Sequence, residues 1–364
     1  MIHPQKSIFI TFFNSFYDHM QTEITQKGPL LNKDGTLAQQ GYAKQLLLEY
    51  NRENIAAGWA RIKEWDYYAI LTPEYGLALT VSEMGIMTLF SATWLDFKAK
   101  TFVSGDIMKL LTKGRTNMPR TSETGDVIVH EKNITIEQTR TPGSRHLIWK
   151  CPEFNKGQGL SCDLTLSQPP EMDTMVIATS WKENRKAFYY NQKVNCMPAV
   201  GTVKIGDKEF SFNKENKAYA VLDWGRGVWT YKNRWYWGSL SGEVNGHTVG
   251  WNIGYGFSDR TPASENMIFY DGKAHKLTDI TFKIPEEKGV KKYMDPWTFT
   301  SSDGRFEMKF EPLIDRNADV NLGIFRSMQH QVFGLYTGTI ILDNGTKVPI
   351  DHMLGFAEDV YNRW

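Results

Sequence analysis

Turn-forming dipeptides recur along this chain at the spacing of short strands, and that rhythm limits its fold more than any single motif. Asp34-Gly35, Thr72-Pro73, Asn245-Gly246, Asp271-Gly272, Asp303-Gly304 and Asn344-Gly345 each stand between apolar or alternating runs. Asn-Gly and Asp-Gly favour the tight turns that join antiparallel strands. Residues 201–212, GTVKIGDKEFSF, therefore read as a hairpin, as do 265–285, 299–312 and 332–350. The expected fold is mainly β, with two consecutive antiparallel barrels or sandwiches and few helices. Residues 38–50 are the best candidate for a helix, and 52–62 for a shorter one. Pro169-Pro170 and the acidic residues after it suggest a domain boundary. The expected division is a disordered leader over 1–19, an N-terminal β-domain over 20–170 and a C-terminal β-domain over 171–364.

Composition excludes some classes of partner. Across 364 residues, 42 Lys and Arg stand against 41 Asp and Glu, which leaves no basic stripe for nucleic acid. No polybasic run of the kind that docks on anionic membranes stands out either. The apolar run SIFITFF (7–13) is too short to span a bilayer and lacks a small-residue cleavage site. Stable membrane insertion is not expected. Cys151, Cys162 and Cys196 are three in number and loosely spaced, which argues against a disulfide framework or a zinc site and for a cytoplasmic protein. Neither a metal nor a cofactor is expected.

Residues 221–257, VLDWGRGVWTYKNRWYWGSLSGEVNGHTVGWNIGYGF, hold five of the 12 tryptophans, interleaved with glycine. Aromatic residues suit a pleated surface, and glycine there marks a bulge or a close backbone approach. Asp223 and Arg226 lie inside this apolar run, where ionised groups are costly unless paired or used. Their spacing suggests a pair across a bulge. The segment reads as the wall of an aromatic-lined cavity with a few polar groups, the usual form of a small-molecule site.

The strings FYYNQKVNCMPAVGTVKIGDKEF (188–210), LDWGRGVWTYKNRWYWG (222–238), GWNIGYGF (250–257), ENMIFYDGKAHKL (265–277) and LGFAEDVYNRW (354–364) resemble a widespread bacterial family of unknown function. That family is distantly similar to lipocalin-like proteins that include carotenoid 1,2-hydratase, tocopherol cyclase and some fungal Diels–Alderases. The resemblance implies two lipocalin-like β-domains with an apolar ligand in or between them, and a C-terminal tail that packs back onto the fold. It supplies no catalytic residue.

Chemistry then rests on individual side chains. Asp223 is the leading acid–base candidate, with Arg226 as its orienting partner; Glu265 and His330 are the reserves. Asn191, Lys193 and Asn195 alternate, so all three should share one strand face and could fix a ligand's oxygen atoms. Trp229 and Trp237 would form the aromatic wall, with Asn252 and Asn266 as further polar contacts. Such a site suits a hydratase, isomerase or cyclase acting on a polyene-like or lipid-like molecule. A non-catalytic lipid or isoprenoid carrier is the alternative, and a carbohydrate-active enzyme a weaker one. Ligand identity and oligomeric state are not legible.

Overall fold

The computed structural model describes residues 21–322 and 325–363. The expected leader over 1–19 lies outside these residues. Strand makes up 63% of the protein and helix 3%, so the mainly β expectation is met. Most strands fall into two large antiparallel sheets, one of 13 strands and one of nine. Both curl. In the first, the edge strands Thr101–Leu110 and Val127–Glu131 are joined by the Lys109–Glu131 ion pair. The expected hairpins form at Asp271-Gly272 and Asn344-Gly345, and residues 201–212 pair as read.

Residues 38–50 are not helical. They contain the short strands Gly41–Ala43 and Leu48–Glu49, and 52–62 contains only two single 3₁₀ turns, Arg52–Asn54 and Trp59–Arg61. Tertiary pairing overrides a weak helix preference here. Gly41–Ala43 completes the edge of Met175–Trp181, and an isolated helical turn has little stability of its own.

Pairing passes from one sheet to the other between Val228 and Lys232, not near residue 170. The reason is the 22-residue strand Asn184–Ile205, which pairs with Tyr219–Val228 and Leu160–Ser167 and so commits the segment after Pro169-Pro170 to the first sheet. In the second sheet the C-terminal strand Lys347–Arg363 lies between Lys232–Val244 and Phe325–Ile341. The tail does pack back, as a central strand.

Alternation sorts the side chains into layers. On Ile62–Leu71, Tyr68 and Ile70 face the core of the first sheet, while Tyr67 and Ala69 face the second sheet. The first core holds Trp149 and Trp224; the second holds Trp251, Phe310 and Tyr336. A third apolar layer lies where the sheets meet, with Tyr67 5.9 Å from Trp237 and Phe97 5.8 Å from Phe333, ring centre to ring centre.

Three buried arginines inside the first sheet fasten the connection over residues 112–126. Arg226 donates to the Pro119 carbonyl at 2.8 Å, Arg145 to that of Ser122 at 2.7 Å, and Arg140 to that of Gly125. Asp66, fully buried, pairs with Arg140 at 2.6 Å and Arg226 at 3.1 Å. Carbonyl oxygens thus solvate guanidinium charge that a single carboxylate could not balance.

Candidate active site

Asp223 projects from Tyr219–Val228 into the layer between the sheets. Its carboxylate accepts from Asn191 Nδ2 at 2.6 Å and pairs with Lys193 Nζ at 2.7 Å. Lys193 in turn stands 3.9 Å from the centre of the Trp237 ring. Trp237 Nε1 donates to Asn252 Oδ1 at 2.6 Å, and Asn252 Nδ2 donates to the Glu265 carbonyl at 2.8 Å. Six of the candidate residues, Glu265 among them, therefore form one chain of contacts, all buried. Asn191, Lys193 and Asn195 share one strand face, and it is the buried one, although Asn195 bonds to Ser239 and the Trp251 carbonyl instead.

Arg226 does not belong to this group. Residues three apart on a strand point to opposite faces, so Arg226 enters the first core while Asp223 faces the second sheet. Lys193, directly opposite Asp223 in the register, takes the partner role that was expected of Arg226. His330 also lies elsewhere, bonded to Asp315 at 2.8 Å and stacked on Tyr293 at 3.7 Å. Asn266 braces backbone, accepting from Gly254 N at 2.7 Å and donating to the Thr278 carbonyl at 2.8 Å. The five tryptophans read as one wall are divided: Trp224 and Trp251 fill the two cores, and Trp229, Trp235 and Trp237 lie between the sheets.

Glu358 was missed. It reaches the same region from Lys347–Arg363, where Gln331 Nε2 donates to it at 2.6 Å and Trp235 Nε1 at 3.4 Å. The signal was present in LGFAEDVYNRW, an acidic residue on the inward phase of an apolar alternating run. Burial pushes the Glu358 carboxyl up to about 7, with the Asp223 charge adding to the rise and Lys193 opposing it. Burial also raises Glu265, again with Asp223 adding and Lys193 opposing. Lys193 thus acts on all three carboxyl groups in a buried layer, with Arg260 acting on Glu265 as well, and burial favours keeping a proton on at least one of them.

Glycine makes the close approaches. A Cβ at Gly225 would fall 2.0 Å from the Trp65 ring, so only glycine lets that indole lie across the strand beside Asp223. At Gly254 a Cβ would fall 3.0 Å from Glu265 Oε1 and 2.7 Å from the Tyr236 carbonyl. Trp65 backs Tyr189 and Trp229, which with Trp235 form an aromatic box around Phe257: its ring lies 4.8 Å from Tyr189, 5.0 Å from Trp229 and 5.2 Å from Trp235. Trp181 packs on the outer side of Phe257 at 5.0 Å and lines a cavity of about 1040 Å³ with Ser258, Asp259, Arg260 and Ser264. The open volume therefore lies outside the box, next to the loop that carries Glu265. Among the described residues, no group of His, Cys, Asp and Glu is arranged to hold a metal ion. No described helix is long and apolar enough to cross a membrane.

Solved structures share this architecture. Kievitone hydratase from Nectria haematococca is 13% identical, with a TM-score of 0.53 over 94% of this chain and 98% of that one. A Nitrosomonas europaea protein assigned provisionally as AttH is 11% identical, with a TM-score of 0.51 over 91% of this chain and 98% of that one. At these identities the likeness establishes the two-part lipocalin-like fold and nothing about chemistry. A search of curated proteins returns no match. The family match spans residues 21–364 and accounts for the sequence strings noted at the outset: the chain belongs to the family described as Domain of unknown function (DUF2804).

Proposed function

We propose that the protein is an acid–base enzyme of the hydratase, isomerase or cyclase type, acting on an apolar small molecule held between the two sheets. The observation that carries this reading is the meeting of Asp223, Glu265 and Glu358 around Lys193, with Glu358 poised near neutral pH. A general acid works best when its pKa lies near the working pH. Glu358 would give its proton to a substrate double bond, and the indole faces of Trp65, Trp229 and Trp235 would stabilise the developing positive charge. In a hydration, water would add to that centre and pass its proton to Asp223. In an isomerisation, Asp223 would take a substrate proton instead. The hydratase named among the structural neighbours is a precedent for this fold supporting such chemistry.

Admission of substrate requires Phe257 to leave the box, because its ring fills the space between the tryptophans. A carrier would need apolar walls but no cluster of three carboxyl groups, so the cluster favours the enzyme. Native mass spectrometry of the purified protein identifies a co-purifying ligand, and turnover of that ligand by wild type, Glu358→Gln and Asp223→Asn tests the assignment. Loss of turnover with retained binding is expected. Full activity in both variants would overturn the reading.

A further inference from the structure

We propose that one end of the first sheet is a docking surface for a membrane that contains anionic lipid. Trp59, Ile86, Met108, Leu110 and Leu111 are 40%, 41%, 60%, 72% and 60% exposed, and they are five of the 11 exposed large apolar residues among those described. They form one patch. Leu110 pairs with Met87 and Met108 with Leu89, and Leu111 N donates to the Ile86 carbonyl at 2.6 Å. A Cβ on Gly85 would fall 2.5 Å from the Ala60 carbonyl and 2.9 Å from that of Trp59, so this hairpin tip rests against the Trp59 turn. Lys113 Nζ lies 5.4 Å above the Trp59 ring. Grouped exposed apolar side chains of this kind mark an interaction site, whereas scattered ones do not.

The patch is firmly built from below. The buried Glu83 carboxylate accepts from Thr88 at 3.0 Å, Thr112 at 2.8 Å and Thr116 at 2.9 Å, tying the hairpin tip to the segment after Leu111. Lys63 Nζ holds the Met84 carbonyl at 2.7 Å. Leu111 has a φ of 57°, a conformation unfavourable for a leucine, and its side chain is held outward.

Charge selects the occupant. Residues 107–122, IMKLLTKGRTNMPRTS, carry four basic residues and no acidic one. Lys109 and Arg120 are paired with Glu131 and Glu53, but Lys113 and Arg115 are exposed and, among the described residues, pair with no carboxylate. Asp106 lies further along the strand face that carries Met108 and Leu110. Leucine, isoleucine and methionine at the tip, tryptophan beside them and free Lys and Arg at the rim match the depth profile of a bilayer with anionic headgroups. The sequence concealed this surface because its basic residues are spaced apart and meet the apolar ones only after folding. The proposal stands independently of the reaction proposed above.

Flotation of the full chain with vesicles tests it. Wild type should float with equimolar phosphatidylcholine and phosphatidylglycerol, stay behind with phosphatidylcholine alone, and be released by high salt. Leu110→Ser with Leu111→Asn, and separately Lys113→Ser with Arg115→Ser, should each lower binding about tenfold or more. All four side chains are exposed and Asn suits the positive φ of residue 111 better than Leu, so thermal unfolding should not fall and serves as the folding control. No flotation of wild type, or binding that both variants retain, overturns the proposal. So does a wild-type dimer in sedimentation that Leu110→Ser with Leu111→Asn dissolves, since a second copy would then own the patch.

Discussion

Replacing Glu358 with glutamine should stabilise the protein above neutral pH and silence it at the same time. The folded carboxyl titrates near 7 against 4.5 for an unburied one. The folded state therefore holds this proton more tightly than the unfolded state. The cost of ionising it is absent below about pH 4.5, grows as pH rises and is nearly complete above 7. At about 1.36 kcal/mol per pH unit, the full cost is about 3 kcal/mol. Glutamine removes it while keeping an oxygen for Gln331 Nε2 to reach. It also turns an amide toward Trp235 Nε1, a loss that does not vary with pH. At about 2.1 cal/mol/K of unfolding entropy per residue, 3 kcal/mol corresponds to about 4 °C for a chain this long that unfolds as one unit. Differential scanning calorimetry of both proteins at pH 5 and pH 8 measures the difference directly. Glu358→Gln should gain about 2–3 kcal/mol on wild type between those two conditions. A difference independent of pH would refute the assignment of the raised carboxyl. On an identified substrate, the same variant should lose about a hundredfold or more in turnover, the usual scale for a missing general acid.

Other outcomes follow from the same geometry. Lys193→Met should destabilise the protein by about 3–5 kcal/mol by leaving Asp223 buried without its cation, measurable by urea unfolding, and Lys193→Met with Asp223→Asn should recover much of that loss. Phe257→Ala should empty the aromatic box, cost about 3–5 kcal/mol, and increase quenching of tryptophan fluorescence by a small apolar quencher; unchanged quenching would place the entrance elsewhere. Arg226→Met should unfold more easily than wild type yet leave ligand affinity unchanged, because it leaves Asp66 without one of its two cations and does not touch the layer between the sheets.

The strand rhythm was legible because hairpin turns depend on local chemistry: Asp271-Gly272 and Asn344-Gly345 turn where they were read. So was the shared face of Asn191, Lys193 and Asn195, which needs only a period of two. The partner of Asp223 was not legible. Lys193 is 30 positions away in sequence and becomes its neighbour only through strand register, whereas Arg226 is close in sequence and on the wrong face. Glu358 was hidden for the same reason, since it enters the layer from the other end of the chain. The tryptophans misled because their bulk suits any buried layer, and alternation sent them to three of them.

The segment over 112–126 can be regarded as a ligand already bound to the first sheet. Three guanidinium groups grip its carbonyl oxygens, and both of its ends are covalently attached to the strands around it. A tether of this kind gives a local concentration in the millimolar range or above. Any free molecule competing for that interior must overcome it and also leave three buried cations without their oxygens. Met118, Pro119 and Ser122 of the segment are buried, so this part of the first sheet's interior is taken up by its own chain, whereas the reaction proposed above is assigned to the seam where the two sheets face each other. Point changes in the 112–126 segment should accordingly be felt as lost stability of the first sheet long before they alter what the seam can bind.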